Sequence, residues 1–228
     1  MFDKPLDSGP ALEDAIGKAA AALMRLQRDD GHWVFELEAD ATIPAELVLL
    51  KHYLGEPEDL ELERKIGVYL RRIQGEHGGW ALYHGGAFDI SATVKAYFAL
   101  KMIGDPIDAP HMARARAEIL ARGGAGASNV FTRFQLALYG AGPWNSIPTM
   151  PVEIILLPRW FPIHLAKMSY WARTVIVPLL VLQVNKPVAR NTRGVRVDEL
   201  YETDVRARPK SQAAHTSRFW TGFFNTLD

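Results

Sequence analysis

Cysteine is absent from the 228 residues. No disulfide framework can hold this chain together, and a reducing compartment suits it. Net charge is absent too: 26 Lys and Arg balance 26 Asp and Glu. A balanced chain does not offer the basic footprint that nucleic acid requires, so no nucleic-acid partner is expected. Long apolar runs are missing. The longest, Val175 to Val184, is broken by Pro178 and Gln183 and falls short of the roughly 20 residues of a spanning helix. The first residues show no basic region followed by an apolar stretch, so no secretory signal is expected. Convincing strand alternation is lacking. The seven histidines fall in no ligand-like spacing, so no metal is expected. The paired glycines Gly78-Gly79 and Gly85-Gly86 lack the strand-to-helix setting of a phosphate loop and read as turns.

What is present is one pattern, twice. Gln27-Arg-Asp-Asp-Gly31-His-Trp33 and Gln74-Gly-Glu-His-Gly78-Gly-Trp80 share the spacing Q-x-x-x-G-x-W. Each follows an amphipathic helical run. A repeated unit of helix plus turn implies stacked hairpins. A helix end leaves backbone carbonyls unpaired and the next helix start leaves amides unpaired. A Gln side chain carries donors and an acceptor and can tie both. Gly takes the positive φ that ends a helix. Trp then covers the junction, and burying its ring stabilises by roughly 2 to 3 kcal/mol. These six residues read as structural locks.

The rest of the chain is helical in rhythm. Helices are expected over 11–27, from Pro44 with Leu47, Leu50 and Leu54 as its apolar stripe, over 59–74, 89–103, 111–122 and 130–139. Gly123-Gly124-Ala-Gly126 stands where a third corner is due and reads as a degenerate copy. Five prolines between Pro143 and Pro162 punctuate short segments. A further helix over 166–183 is expected to kink or break at Pro178. Residues 185–217 read as a polar, basic linker, and 218–228 present Trp220, Phe223, Phe224 and Leu227 on one apolar face.

The two repeats resemble the QW motifs of the squalene-hopene and oxidosqualene cyclase family. Further stretches add to the likeness: Ala45-Glu46-Leu47-Val48-Leu49-Leu50, Trp80-Ala-Leu-Tyr-His-Gly-Gly, Val130-Phe131-Thr132-Arg133, Ser169-Tyr170-Trp171-Ala172-Arg173 and Leu200-Tyr201-Glu202-Thr203-Asp204-Val205. The resemblance runs over nearly the whole chain and is bacterial in flavour. It implies an all-α fold, an α/α barrel (toroid) of stacked helical hairpins, present here incompletely. Residues 1–184 would belong to the N-terminal barrel region and 218–228 would begin a membrane-contacting helix. The implied activity is an isomerase that folds squalene into pentacyclic hopene or hopanol in hopanoid biosynthesis, without cofactor. The implied setting is a monotopic enzyme on the cytoplasmic side of a bacterial membrane, able to form a homodimer. The family begins the reaction with a protonating Asp in an Asp-x-Asp-Asp motif, which this sequence lacks. Family members are much longer, so the chain reads as an N-terminal piece, inactive alone, with no catalytic acid of its own.

The same resemblance nominates cavity residues. Polyene cyclisation passes through buried cations, and aromatic faces stabilise such cations by ~2 kcal/mol or more when dry. Trp171 and Phe131 match cavity-lining aromatics. Glu46 matches a glutamate that holds the water taking the final proton, although Lys95 and Asn129 stand where an acid and an arginine can accompany it. Met168 and Ile176 match a narrowing of the access channel. Trp220, Phe223, Phe224 and Leu227, beside Arg206, Arg208, Lys210 and Arg218, suit a membrane surface. Each has a plainer reading: helix packing for Trp171, Phe131, Met168 and Ile176, an exposed helix-start acid for Glu46, and packing against further chain for the last aromatics. Two other functions stay open here. One is a different α-toroid terpenoid or prenyl enzyme; the other is a non-enzymatic helical-repeat binding module.

Overall fold

The computed structural model describes residues 9–35, 38–148, 150–162 and 164–201. The last aromatic face and residues 202–217 lie outside them. The chain divides into two compact units, 1–38 and 39–228. Among the described residues the structure is helical without a named strand; one isolated antiparallel bridge joins Trp80 to Asp89.

The first unit holds α1 (Pro10–Leu26) and the corner after it. Pro10 sits in the first turn, where its missing N–H costs nothing. No residue of α1 is buried; Leu12, Ile16 and Leu23 are exposed.

The second unit is organised by α4 (Ile90–Ile103). Its sequence, ISATVKAYFALKMI, is apolar or small on nearly every side. A helix of that kind finds its place in the centre of a bundle. Every residue from Ser91 to Leu100 is buried. Asp89 opens it by accepting from the Ala92 amide at 2.7 Å. Around it stand α2 (Thr42–Leu54), α3 (Leu60–Arg72), α5 (Pro110–Ala121) and α6 (Val130–Leu138), with α2 packed against it most extensively. Four of these helices, α2, α4, α5 and α6, end alike. Gly55, Gly104, Gly123 and Gly140 take positive φ, and the following amide donates back five residues, as Gly124 does to Ile119 at 2.9 Å. This is the Schellman closure, open to Gly because it has no Cβ to clash.

The structure corrects several expectations. α2 begins at Thr42, whose amide and hydroxyl both donate to Asp40 Oδ1, so Pro44 lies inside the first turn. Its core face is Ala45, Val48, Leu49 and His52. The stripe Leu47, Leu50 and Leu54 points outward, with Ile43 beside it. The region 123–126 is the Schellman end of α5 followed by a 3-10 turn over Ala125–Ala127. The last helix, α7 (Tyr170–Asn185), begins later than expected, because His164 opens a separate 3-10 turn over Leu165–Lys167. It then runs unbroken through Pro178. α7 reaches the bundle through a second small cluster, in which Leu179 and Leu182 pack with Phe134, Ala137 and Ile147.

The described part of the stretch expected as a polar linker is a strap, 186–201. Its amides donate to three carbonyls of the bundle: Ala189 to Leu138 at 2.8 Å, Arg190 to Tyr53 at 3.1 Å and Asn191 to His52 at 3.2 Å. Val197 and Leu200 are fully buried. Two acids anchor its charges. Glu63 accepts from Arg193 at 2.9 Å and meets His52 Nε2 at 2.8 Å, both in the interior. Glu199 accepts from Lys101 Nζ at 2.6 Å and the Tyr97 hydroxyl at 2.9 Å. Burial, then the Glu199 charge, push the Tyr97 phenol well above its ordinary range. The hydrogen bond from Arg193 holds Glu58, at the mouth of the first anchor, below the usual carboxylate range.

Candidate functional site

The two corners are the same hydrogen-bonded object. Gln27 Nε2 donates to the Gly31 carbonyl at 2.6 Å, and Gln74 Nε2 donates to that of Gly78 at 2.7 Å. Trp33 Nε1 donates to Leu23 O at 2.7 Å, and Trp80 Nε1 to Leu70 O at 2.8 Å. Gly31 and Gly78 both hold positive φ, at 89° and 83°. The donors of Gln thus tie carbonyls, as the sequence suggests, but among the described residues no helix-start amide meets its oxygen. Gln74 Oε1 instead accepts from Arg114 at 2.9 Å, and its Nε2 reaches a second carbonyl, His111 O, at 2.9 Å. The corners differ in cover. Trp80 is wholly buried, whereas Trp33 is 42% exposed, so the expected burial holds for one ring and not the other.

Glu46 and Asn129 each meet a residue of the first half of α4. Lys95, buried, donates its ammonium to Glu46 Oε1. One helical turn earlier, Ser91 Oγ accepts from the Asn129 amide at 2.9 Å. Asn129 Oδ1 opens α6 by accepting from the Thr132 amide at 2.9 Å. Phe131, in the first turn of α6, is thereby fixed near this line of polar contacts. Sequence reasoning passed over Ser91; its spacing of four from Lys95, which places both on one helix face, was the available signal.

Trp171 lies in the first turn of α7, opened by Ser169, whose hydroxyl accepts from the Ala172 amide. Trp171 is 76% exposed and Phe131 50%. The two rings do not touch among the described residues. Met168 and Ile176 are half-buried, just before and within α7. Open clefts lie on the second unit. One, about 400 Å³, lies between Gly78, Arg114, Glu118 and Arg122; another, about 290 Å³, between Tyr170, Arg173 and Thr174. Neither includes Trp171 or Phe131.

Arg133, two residues after Phe131 in α6, donates to Ser146 O, and burial lowers its pKa from the ordinary value. His52 and His111 are bound to Glu63 and Asp105. No group of three or more candidate ligands forms a metal site among the described residues. No helix among them is long and apolar enough to cross a membrane.

Comparison with known proteins gives this geometry its context. The family described as squalene-hopene cyclase N-terminal domain matches residues 16–228. A squalene–hopene cyclase of Zymomonas mobilis is 67% identical over 217 residues, which are 95% of this chain and 32% of that protein. One of Bradyrhizobium diazoefficiens is 57% identical over 227 residues, 99% of this chain and 34% of the relative. One of Alicyclobacillus acidocaldarius is 39% identical over 223 residues, 98% and 34% respectively. The chain spans about a third of the length of these relatives.

Proposed function

The chain belongs to the squalene-hopene cyclase family, and from that premise we propose that it forms part of an isomerase that folds squalene into a pentacyclic hydrocarbon or alcohol. The observation that carries this reading is the family match over residues 16–228. In it, Phe131 and Trp171 offer aromatic faces to the cations that travel along the folding polyene. The two residues are half and three-quarters exposed, so packing among the described residues leaves those faces available. The outward stripe Ile43, Leu47, Leu50 and Leu54 supplies the oily lining that such a substrate needs.

Cyclisation begins when an acid protonates the terminal alkene. No Asp-x-Asp-Asp segment occurs among the 228 residues, so under this reading these residues guide and terminate the reaction and do not start it. Aromatic faces hold the intermediate cations, and Glu46 holds the water that ends the sequence. Met168 and Ile176 narrow the substrate's way in. Residues 218–228 meet the membrane surface from which squalene is drawn.

The test uses the full-length protein with squalene in detergent or liposomes, with products identified by mass spectrometry. Pentacyclic product is expected from the wild type, and partly cyclised, prematurely deprotonated products from Trp171→Ala. A full-length protein that leaves squalene unchanged would overturn the reading.

A further inference from the structure

Gln183 interrupts the longest apolar run of the chain, Val175 to Val184. A half-buried primary amide there needs partners at both ends, and it finds them on another segment. Its Oε1 accepts from the Met150 amide at 3.0 Å, and its Nε2 donates to the Pro148 carbonyl at 3.1 Å. One side chain thereby closes a loop of chain, from Met150 through the proline-rich segment and back along α7 to Gln183. The 3-10 turn over Val152–Leu156, within that loop, packs on α7. The helix itself is sparsely packed. It is apolar over most of its length, yet Leu180 is its one buried residue. Pro178 removes one bond from its ladder, between Gln183 and the first turn. Trp171, in that first turn, is 76% exposed, so the helix that carries it sets its place.

We propose that Gln183 is a positioning residue for Trp171: its clasp on Pro148 and Met150 holds α7 at the angle that places the indole against the substrate. This rests on the reading of Trp171 as a cavity aromatic. Gln183 lies twelve residues after Trp171 on the same helix, about 18 Å along its axis. A lever of that length turns a tilt of about 3° into a displacement of about an ångström, the scale at which the placement of a group against a reacting centre is felt. Without the clasp, the loop is free to part from α7 along the stretch where Pro178 has weakened the ladder. An aromatic face held over a cation stabilises it. A face moved aside leaves the cation to lose a proton from a neighbouring carbon to water; the C–H electron pair becomes an alkene, and cyclisation stops short. A primary amide suits the clasp because it satisfies a carbonyl and an N–H together, whereas a carboxylate keeps only the acceptor and a thioether neither.

The experiment compares the full-length wild type with Gln183→Met, Trp171→Ala and the double variant, incubated with squalene, reading the fraction of partly cyclised product. Met is close to Gln in length and volume, so Gln183→Met is expected to fold; Gln183→Glu, which loses only the bond to Pro148, carries the same test should it not. Gln183→Met is expected to raise the fraction by about threefold or more and to speed hydrogen exchange at the Met150 amide, whose acceptor it removes. Adding it to Trp171→Ala is expected to raise the fraction no further, since a residue that acts through Trp171 has nothing left to act on. Asp105→Asn, whose partners are Arg71 and His111, serves as the control for lowered stability and is expected to leave the products unchanged. A wild-type product mixture from Gln183→Met, with Trp171→Ala still releasing partly cyclised product, would refute the role of Gln183 and leave that of Trp171 standing. A further rise in the double variant, or an equal rise in Asp105→Asn, would refute it as well. Products unmoved by Trp171→Ala would remove Trp171 from the cavity and Gln183 with it. Wild-type protein that forms no pentacyclic product would overturn the proposed function itself, and this inference with it.

Discussion

The Trp80 indole donates to the carbonyl of Leu70, ten residues before it, at 2.8 Å. Leu70 belongs to the last turns of α3, so the bond ties the start of the next segment back onto the helix just completed. Trp33 and Leu23 repeat the bond at 2.7 Å, but their surroundings do not match: Trp80 is wholly buried and Trp33 is 42% exposed. One hydrogen bond in two settings separates the bond from the burial. Trp80→Ala is expected to destabilise by about 3 to 5 kcal/mol, as other large aromatic truncations in cores do. Trp80→Phe loses the donor but keeps most of the ring and should cost about 1 to 3 kcal/mol. Trp33→Ala should cost below about 1.5 kcal/mol. Urea unfolding measures all three. Equal costs at the two corners would mean that the bond, and not the burial, supplies the stability.

Gly124 tests the strap. It holds φ 72° and ψ −174°, a conformation almost confined to glycine. A Cβ there would stand 2.7 Å from the Leu200 carbonyl, where the strap's end is buried. Gly124→Ala should therefore cost about 1 to 3 kcal/mol from backbone strain alone and should push the strap away. Hydrogen exchange at Leu200 and Tyr201, whose amides donate to Val197 and Asp198, should speed up more than exchange within α4. Unchanged protection of these amides would show that the strap is not seated against Gly124.

How much of this was legible beforehand depends on how local the cause is. The corners were legible because the bonds they share, Gln to the Gly carbonyl and Trp to the preceding helix, close within about a dozen residues, and the spacing of Gln, Gly and Trp dictates which carbonyls are reached; the bonds of Gln74 to His111 and Arg114 lie far off in sequence and were not. The Schellman end of α5 was misread as a degenerate corner, because Gly123 and Gly124 carry the glycine signal of both. The face of α2 was not: Leu47, Leu50 and Leu54 make the more conspicuous stripe, but the small Ala45 lets α4 come close and takes Val48 and Leu49 inward with it. The strap was hidden because its basic residues find acids far away in sequence. Arg193 pairs with Glu63, and Glu199 with Lys101, so a stretch that reads as solvated is neutralised inside the fold. The apolar Val195, Val197 and Leu200 were the missed signal. At the candidate site, the kinship of Glu46, Lys95 and Asn129 was visible only through the family resemblance. The contacts of Lys95 with Glu46 and of Asn129 with Ser91 required the packing of α4.

Asp105 gives a pH prediction. It follows the Gly that ends α4 and accepts from Arg71 Nε at 2.8 Å and meets His111 Nε2 at 2.7 Å. Burial alone would raise its pKa, but hydrogen bonds to Arg71 and His111 outweigh it, so the carboxyl is held below its ordinary value of 3.8. A carboxyl whose pKa falls on folding stabilises above its unfolded value, and that contribution is lost as pH drops toward the folded one. Wild type should exceed Asp105→Asn in stability by about 1 to 2 kcal/mol at neutral pH, a figure discounted for the 38% exposure of Arg71. The gap should narrow steadily below pH 3.8. Unfolding curves for both proteins between neutral and acidic pH check the sign. A gap that widens in acid would mean that the burial cost, and not the Arg71 and His111 bonds, governs the site.

Leu49 and Leu50 are neighbours in sequence and opposites in setting. Leu49 is fully buried against α4, while Leu50 is 53% exposed on the outward stripe. Truncating Leu49 to Ala removes packed methyl groups and leaves a cavity, which costs about 2 to 5 kcal/mol. Truncating Leu50 in the 228-residue chain should stay within about 0.5 kcal/mol, the range of surface substitutions. In the full-length protein the same Leu50→Ala has a second meaning. If the outward stripe lines the substrate's path, its loss lowers turnover of squalene with little change in unfolding, because the missing groups served the ligand and not the core. Paired unfolding and turnover measurements separate the two roles. A Leu50→Ala protein with unaltered turnover and lowered stability would assign the stripe to packing against further chain.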